Sequence, residues 1–518
     1  MFVVPERNAV VVENERLGIT GHGQYTVLPY DMRTFQYLAS KAINIEGPIR
    51  SNYNFPSRFE TPFAHQIITS DFLSQRDRAF CLNEIGTCKT LSALWAADYL
   101  MKIGQVDKVL ISSTLSTLMS VWGKEIFKSF PNRKYQILTG SRQARFKKLD
   151  QDADFYIINH DGIKTMIDWD RSTETYYIKD NVFRQRDDIS LVIVDESSQF
   201  RKQGSDRYKG LFNTVKDKKT WLMSGGPMPN KPTDIWAQAQ LIKCKAIPSK
   251  FTRFRDKVMH EFTDHVWLPK PGWENYIYSL LKNDCIRFKR DECLDLPPRI
   301  TETREVPMTK EQKTAYDDMV KRLVVEVEDG TVTAANEGVK ISKLLQIAAG
   351  IILNTEEGTA HRFAVKPKMD ALKDVLDESG RKLVLFTPFV ECRNMIFEEL
   401  SKSCKIAAIK SGMSTYKKAE IFHDFQEGDL EVIISHPKSI AHGNDLTASH
   451  TVCWWGPPHN QDYEDYDQAS LRITRAGQTH KQTVLHLTCS PIERIVYRKL
   501  KNKEIMQGSL MELLTSRV

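Results

Sequence analysis

The sequence has no uninterrupted apolar run of the roughly 18 to 20 residues that a membrane-spanning helix needs. Its start, MFVVPERNAVVVENERLG, carries charge from Glu6 and Arg7 onward, too early for a secretory signal. Cys-x-x-Cys pairs are absent: the nine cysteines stand at 81, 88, 244, 285, 293, 392, 404, 453 and 489, without zinc-type spacing. An odd, scattered set excludes a disulfide framework and predicts reduced thiols. Low-complexity tracts and short repeats are missing too, which argues against long disordered stretches and solenoids. These absences leave a folded, soluble protein of the cytoplasm as the expectation.

What is present fits such a protein. Hydrophobic residues make up 41% and charged residues 27% of 518 residues, enough for a folded chain throughout. At roughly 150 residues per domain, one core is too few. The net charge of +7 permits a polyanionic partner without requiring one.

One unit recurs: about four apolar residues, then at once small, polar or charged ones. It appears at Val109 to Ile111 before Ser112, Phe155 to Ile158 before Asn159, Leu191 to Val194 before Asp195, and Trp221 to Met223 before Ser224. It returns at Leu383 to Phe386 before Thr387, Val432 to Ile434 before Ser435, and Val452 to Trp455 before Gly456. Helical patterns such as Leu91 to Met101 and Asn394 to Leu400 lie between. Strands buried on both faces and alternating with helices predict parallel sheets with functional residues at their carboxyl ends. The fold expected is α/β, with two parallel-sheet lobes in tandem. The polar, proline-paired stretch DLPPRITETREVPMTKEQ marks the boundary. The domains expected are a small N-terminal accessory unit (1–57), a first lobe (58–298, with an extension at about 246–296) and a second lobe (299–518).

Cys81-Leu-Asn-Glu-Ile-Gly-Thr-Cys-Lys-Thr90 runs from an apolar segment into a helix start, where backbone N–H groups point at an anion. Lys89 would pair with the β and γ phosphates of ATP, and the Thr90 hydroxyl would ligate Mg²⁺. Glu84, Gly86, Thr87 and Cys88 complete the loop. Cys88 occupies the position just before the lysine, where close backbone approach favours glycine, so strain of about 1 to 3 kcal/mol is expected. A thiol beside Lys89 at a helix N-terminus is also expected to have a lowered pKa. Upstream, Gln66 is able to donate to and accept from an adenine edge at once. Downstream, Asp195 and Glu196 end a buried strand, where Asp195 would hold Mg²⁺ through water and Glu196 would polarise an attacking water.

Together Gln66, NEIGTCKT, DESS, SGGPMPN and QASLRITRAGQ resemble the motifs of superfamily 2 DNA helicases and translocases. The resemblance is to the Swi/Snf-like branch, and the compact layout is similar to helicases encoded by tailed bacteriophages. It covers roughly residues 60 to 500 and implies RecA-like lobes. It implies that Arg472 and Arg475, with Gln468 beside them, act as arginine fingers stabilising charge on the γ-phosphoryl. It also implies coupling through Ser224 and Gly225, where Thr-Gly-Thr-Pro is usual, and nucleotide contact through Gly443 and Asp445.

The loops at 112–118, 159–162, 387–389 and 435–439 are rich in hydroxyls and amides. Ser113, Thr114, Asn159, Thr387, Ser435 and Lys438 are therefore expected to bond phosphates without reading sequence. Trp122, Trp454 and Trp455 are expected in the core. The function these readings imply is an ATP- and Mg²⁺-dependent DNA helicase or translocase. It would be a monomer acting on single-stranded, duplex or branched DNA in phage replication, recombination or repair, with replication or recombination proteins as further partners. A nucleotide-dependent DNA-binding switch weakened by Cys88, or an RNA helicase, are the alternatives.

Overall fold

The computed structural model describes residues 2–5, 20–22, 25–28, 32–40, 46–56, 61–170, 177–263, 266–293, 297–328, 334–354, 359–440, 446–458, 463–474 and 478–515. The chain divides into two compact units, one of residues 1–228, 232–293 and 510–518, the other of residues 229–231 and 294–509.

The first unit is built on a seven-stranded sheet. Its order across the sheet is Cys285–Ile286, Arg78–Cys81, Lys219–Met223, Ile189–Val194, Lys108–Ser113, Phe155–Asn159, Tyr135–Leu138. Every pairing is parallel. Val109 to Ile111 and Leu191 to Val194 are wholly buried, as uninterrupted apolar runs must be when helices cover both faces. Such strands end abruptly because the next polar group cannot be buried without a partner. The loops that follow thus collect at one rim.

Two segments without a strand rhythm in the sequence belong to this unit. From the N-terminal region, Met32, Phe35, Leu38, Ile49 and Tyr53 share one core with Trp95, Trp122 and Trp221. The Tyr53 hydroxyl donates to Asp98 at 2.7 Å, and the Trp95 indole donates to the carbonyl of Pro56 at 2.7 Å. Residues 32–40 and 46–56 are thus built into the first lobe, while the antiparallel strands Phe2–Pro5, Thr20–His22 and Tyr25–Leu28 form a sheet of their own. After the last lobe-1 helix of the expected rhythm come helices Phe251–Val258 and Trp273–Leu281 around an antiparallel hairpin, Met259–Thr263 with Val266–Pro269. The chain then returns as the edge strand Cys285–Ile286.

The second unit has six parallel strands in the order Arg299–Glu305, Gln482–Thr488, Thr451–Trp454, Leu383–Phe386, Val432–Ser435, Ile406–Ile409. Trp454 and Trp455 lie in its core. The chain's last helix, Pro491–Thr515, starts in this unit with a reciprocal cap: Ser490 N donates to the Glu493 carboxylate at 3.0 Å and Glu493 N to Ser490 Oγ at 3.4 Å. Glu493 also meets Lys368 at 2.9 Å, both almost completely buried. A buried pair of this kind persists because each partner neutralises the other. All nine cysteines are free thiols. Among the described residues no helix is long and apolar enough to cross a membrane.

Candidate nucleotide site

Strand Arg78–Cys81 passes through a loop into helix Lys89–Lys102. Gly86 (φ 93°) and Cys88 (φ 57°, ψ 38°) bend the chain so that the helix N-terminus faces back over the strand end. Glycine adopts that left-handed region freely, whereas a cysteine pays about 1 kcal/mol for it. Lys89 Nζ donates to the carbonyls of Asn83 and Glu84 at 2.8 and 3.1 Å, so the ammonium spans the concave side of the loop. Gly86, Cys88, Lys89 and Thr90 are half-buried, and Thr87 is buried with its hydroxyl on the Glu84 carbonyl at 2.8 Å. A ready cation and the N–H groups of a helix start make this an anion cradle.

Glu84 was expected to face the nucleotide, and here the structure differs. Its carboxylate accepts from Arg287 Nη2 at 2.6 Å and from the backbone N–H of Arg290 at 3.1 Å. Arg287 also donates to the Leu82 carbonyl, and Phe288 N to Asn83 Oδ1 at 2.9 Å. A half-buried carboxylate next to a buried guanidinium is satisfied there first, so Glu84 anchors the loop to its backing. Asn83 stood in the quoted loop without a role of its own, and Arg287 and Phe288 were not singled out in the sequence. The only signal for those two was a basic stretch 200 residues downstream, which nothing local ties to the loop.

Gln66 is fully buried near the N-terminus of helix Ala64–Ser74. Its Oε1 accepts from Phe63 N at 3.2 Å, while Nε2 has no hydrogen-bond partner among the described residues. An unsatisfied buried donor is costly and marks a place for an acceptor, as an adenine edge offers. His65, stacked on Phe63 with centroids 5.6 Å apart, places Nε2 3.1 Å from the Thr87 carbonyl and so joins this corner to the phosphate loop.

Asp195 and Glu196 follow strand Ile189–Val194. Asp195 is 9% exposed. Its Oδ2 accepts from Ser113 Oγ and from Trp122 Nε1, both at 3.0 Å, and its Oδ1 from Glu196 N at 3.1 Å. Burial and the neighbouring Glu196 carboxylate hold its pKa above the usual carboxylate range, against the pull of Trp122, Lys89 and Ser113. A buried carboxylate of that kind is energetically ready for a cation. Glu196 is half-buried and sits in left-handed backbone (φ 45°), a strained conformation that recurs at functional sites.

The turn at Ser224–Pro227 lies between the two. Ser224 is buried and its Oγ accepts from Gly226 N at 3.1 Å. A Cβ on Gly225 would stand 3.1 Å from Ile85 Cγ1 of the phosphate loop, a tight approach that favours glycine. On the other side Ser197 Oγ donates to Gln238 Oε1 at 2.9 Å, and Gln238 Nε2 donates to the Pro227 carbonyl at 2.6 Å. Gln238, missed in the sequence because it sits inside an ordinary helix, ties the carboxylate loop to this turn.

The residues expected to bond phosphates fare unevenly. Ser113, Thr387 and Ser435 are fully buried and engaged inside their own units: Ser113 with Asp195, Thr387 with the Phe389 carbonyl at 3.5 Å, Ser435 with the His436 carbonyl at 3.0 Å. Ser113 and Ser435 end their buried strands and Thr387 directly follows its own, so all three hydroxyls still face inward. Asn159 is held by Arg145, whose Nη1 and Nη2 each donate to Oδ1 at 3.1 Å. Thr114 is half-buried; Lys438 is exposed and pairs with Asp465 at 3.3 Å. Trp122, Trp454 and Trp455 are core residues, as expected.

In the second unit Gln468 and Arg472 are buried. Helix Tyr463–Ser470 ends before Arg472, giving way to a 3₁₀ turn, Leu471–Ile473, and then to extended Thr474. Gln478 Nε2 draws this segment in by donating to the carbonyls of Thr447, Ser449 and Ile473. Arg472 Nε donates to the Gln468 carbonyl at 3.1 Å. Arg475, Gly443 and Asp445 lie outside the described residues.

Comparison with known proteins adds to this geometry. The SNF2-related domain model matches residues 65–351, and the helicase conserved C-terminal domain model matches residues 367–477. Putative protein p41 of Acyrthosiphon pisum secondary endosymbiont phage 1 is 22% identical, over 87% of this chain and 98% of its own. The Saccharomyces cerevisiae nuclear protein STH1/NPS1 is 21% identical over 83% of this chain. The putative ATP-dependent helicase/translocase YwqA of Bacillus subtilis is 20% identical over 85%. The chain spans 33% of the yeast protein and 47% of the bacterial one. Among solved structures, the Sulfolobus solfataricus SWI2/SNF2 ATPase core in complex with dsDNA aligns with a TM-score of 0.40 at 18% identity, over 90% of this chain and 97% of that one.

Proposed function

Since this chain belongs to the SNF2-related family, whose model spans more than half of it, we propose that it is a DNA-stimulated ATPase that translocates along DNA or remodels it. The observation that carries the reading is the meeting, at one sheet rim, of an ammonium-bearing anion cradle at Lys89 and a buried carboxylate at Asp195 with Glu196 beside it. A nucleoside triphosphate needs both: cations for its phosphates, and carboxylates for a metal ion and for water.

In this reading Gln66 offers its free amide donor to the base. Lys89 and the N–H groups around Thr87 and Cys88 hold the phosphates. Thr90 and Asp195 would hold Mg²⁺, which supplies positive charge to the β and γ phosphates. Glu196 takes a proton from the attacking water. Arg472 and Arg475 supply the guanidinium charge expected of arginine fingers, and Gly443, Asp445 and Gln468 support the nucleotide from the second lobe. Ser224 and Gly225 relay the state of the site to the rest of the lobe. Contact with DNA falls to Thr114, Lys438 and the backbone of the post-strand loops, which suits sequence-neutral binding. Near-complete coverage of a phage protein supports work in phage replication, recombination or repair inside the host cytoplasm.

Phosphate release measured with no polymer, single-stranded, duplex, forked and four-way DNA, and RNA tests this. DNA is expected to stimulate release at least about tenfold, and Lys89→Ala and Glu196→Gln to abolish it. Equal or greater stimulation by RNA would reassign the track. The strained Cys88 favours a second reading, a nucleotide-dependent DNA-binding switch with weak turnover. Cys88→Gly decides between them: a rise of severalfold in kcat means the native thiol restrains turnover, and no change leaves the motor reading alone.

A further inference from the structure

Strand Lys108–Ser113 does not lead into an ordinary helix. It passes through a turn at 114–117 and then a π-type turn, Leu118–Gly123, a wide and costly geometry that recurs where a side chain must be aimed. The two residues that bracket this stretch, Ser113 and Trp122, are fully buried. Both donate to one atom, Oδ2 of Asp195, at 3.0 Å.

The turn itself is wired to the same oxygen. Thr114 Oγ1 lies 2.9 Å from Thr117 Oγ1, which lies 2.7 Å from Ser113 Oγ. Because Ser113 gives its proton to Asp195, Thr117 is the donor toward Ser113, its proton shared with the Thr114 carbonyl at 3.0 Å, and Thr114 is the outer hydroxyl of the chain. Such chains polarise one another, so a change at the first member is felt at the last. The outer end is open to the surroundings: Leu115 is 69% exposed, Ser116 is exposed and Thr114 half-buried. An acceptor such as a phosphate oxygen that takes the Thr114 proton removes a donor from Thr117 and loosens the hold on Asp195. A shift of the π-type turn would likewise move the indole N–H, which donates in one direction only.

We propose that the turn at 114–117 senses the phosphate backbone of bound DNA, and that Ser113 and Trp122 are positioning residues through which it sets the grip of Asp195 on the metal ion. The proposal rests on the ATPase reading above and adds a route by which DNA acts on the metal site within a single lobe.

The test is Mn²⁺ binding to the ADP complex of the full chain, followed by loss of the free-ion electron paramagnetic resonance signal, with and without a random-sequence DNA duplex. In the wild type, DNA should change Mn²⁺ affinity at least about fivefold. In Ser113→Ala and Trp122→Phe that ratio should fall to about one. Thr114→Val should reduce the ratio in the wild type and change nothing in Ser113→Ala, since both lie on one chain. If Trp122→Phe proves unstable in thermal melting, Ser113→Ala decides alone. A ratio that survives in Ser113→Ala, or a wild-type affinity indifferent to DNA while phosphate release is still DNA-stimulated, overturns the sensor and leaves the ATPase reading standing. Absence of any DNA-stimulated phosphate release overturns that reading instead.

Discussion

Gln238 carries more hydrogen bonds than a helix-interior glutamine normally does: it accepts from Ser197 and donates to the carbonyls of Pro227 and Asp234, all buried. Replacing it by leucine keeps the volume and strands Ser197 Oγ and the Pro227 carbonyl, at about 1 to 3 kcal/mol for each unsatisfied group. Neither bond touches the phosphate loop. Gln238→Leu is therefore expected to lower kcat about tenfold or more with little change in KM for ATP. A rise in KM with unchanged kcat would place Gln238 in nucleotide binding instead. At this scale the sequence was partly legible. Lys89, Asp195 and Gln66 stood out because their chemistry is conspicuous in its local setting. Gln238 did not, and Trp122 stood out only as core, since a buried amide and a buried indole look like helix and core until the fold shows what they face.

At the scale of elements, the edge strand Cys285–Ile286 and the residues after it matter more than their length suggests. Parallel pairing with Arg78–Cys81 runs on into the loop, where Leu82 N and Glu84 N donate to the carbonyls of Ile286 and Phe288. Arg287, buried, then closes on Glu84. The phosphate loop is thus shaped by a segment 200 residues away. Breaking one side of a largely buried ion pair costs about 3 to 5 kcal/mol, and less where one partner keeps some water, as Glu84 does. Arg287→Met should therefore destabilise the first lobe by about 2 to 4 kcal/mol in urea unfolding, while ATP affinity drops because the loop loses its backing. Unchanged nucleotide affinity in a folded variant would mean that the loop holds its shape unaided. Apolar runs announced four strands of the first sheet and three of the second, since burial on two faces leaves no room for polar residues, whereas the edge strand Arg299–Glu305 is largely polar and gave no such signal. A two-residue strand has no such pattern, and only its partner strand reveals it. Helix Tyr463–Ser470 likewise ends before Arg472, where Gln478 holds the following 3₁₀ turn through bonds that no local pattern announces.

For the whole molecule, two separate sheets with separate cores predict that acid acts on them unequally. In the second lobe His486 is 5% exposed, stacked on Tyr497 with centroids 3.7 Å apart and bonded through Nε2 to the Tyr466 hydroxyl at 2.9 Å. Burial lowers its pKa to about 3. The folded state thus keeps the ring neutral where the unfolded chain protonates it. Its contribution is complete above the unfolded value of about 6.5 and declines below it, by about 1.4 kcal/mol for each further unit. His450 in the same lobe and His65 in the first are shifted in the same direction, also by burial, but less. Asp195 in the first lobe has the opposite sign: its raised pKa means that the folded state takes up a proton more readily, so acid favours it. Between pH 6.5 and about 4.5, above the range where ordinary carboxylates titrate, the second lobe should lose stability faster than the first. Calorimetry across that interval should resolve two transitions whose midpoints separate as pH falls, the lower one belonging to the second lobe. His486→Phe keeps the stack on Tyr497 and removes the proton site, so it should flatten the pH response of that transition. A separation that persists undiminished in His486→Phe would mean that another group in the second lobe governs its acid sensitivity.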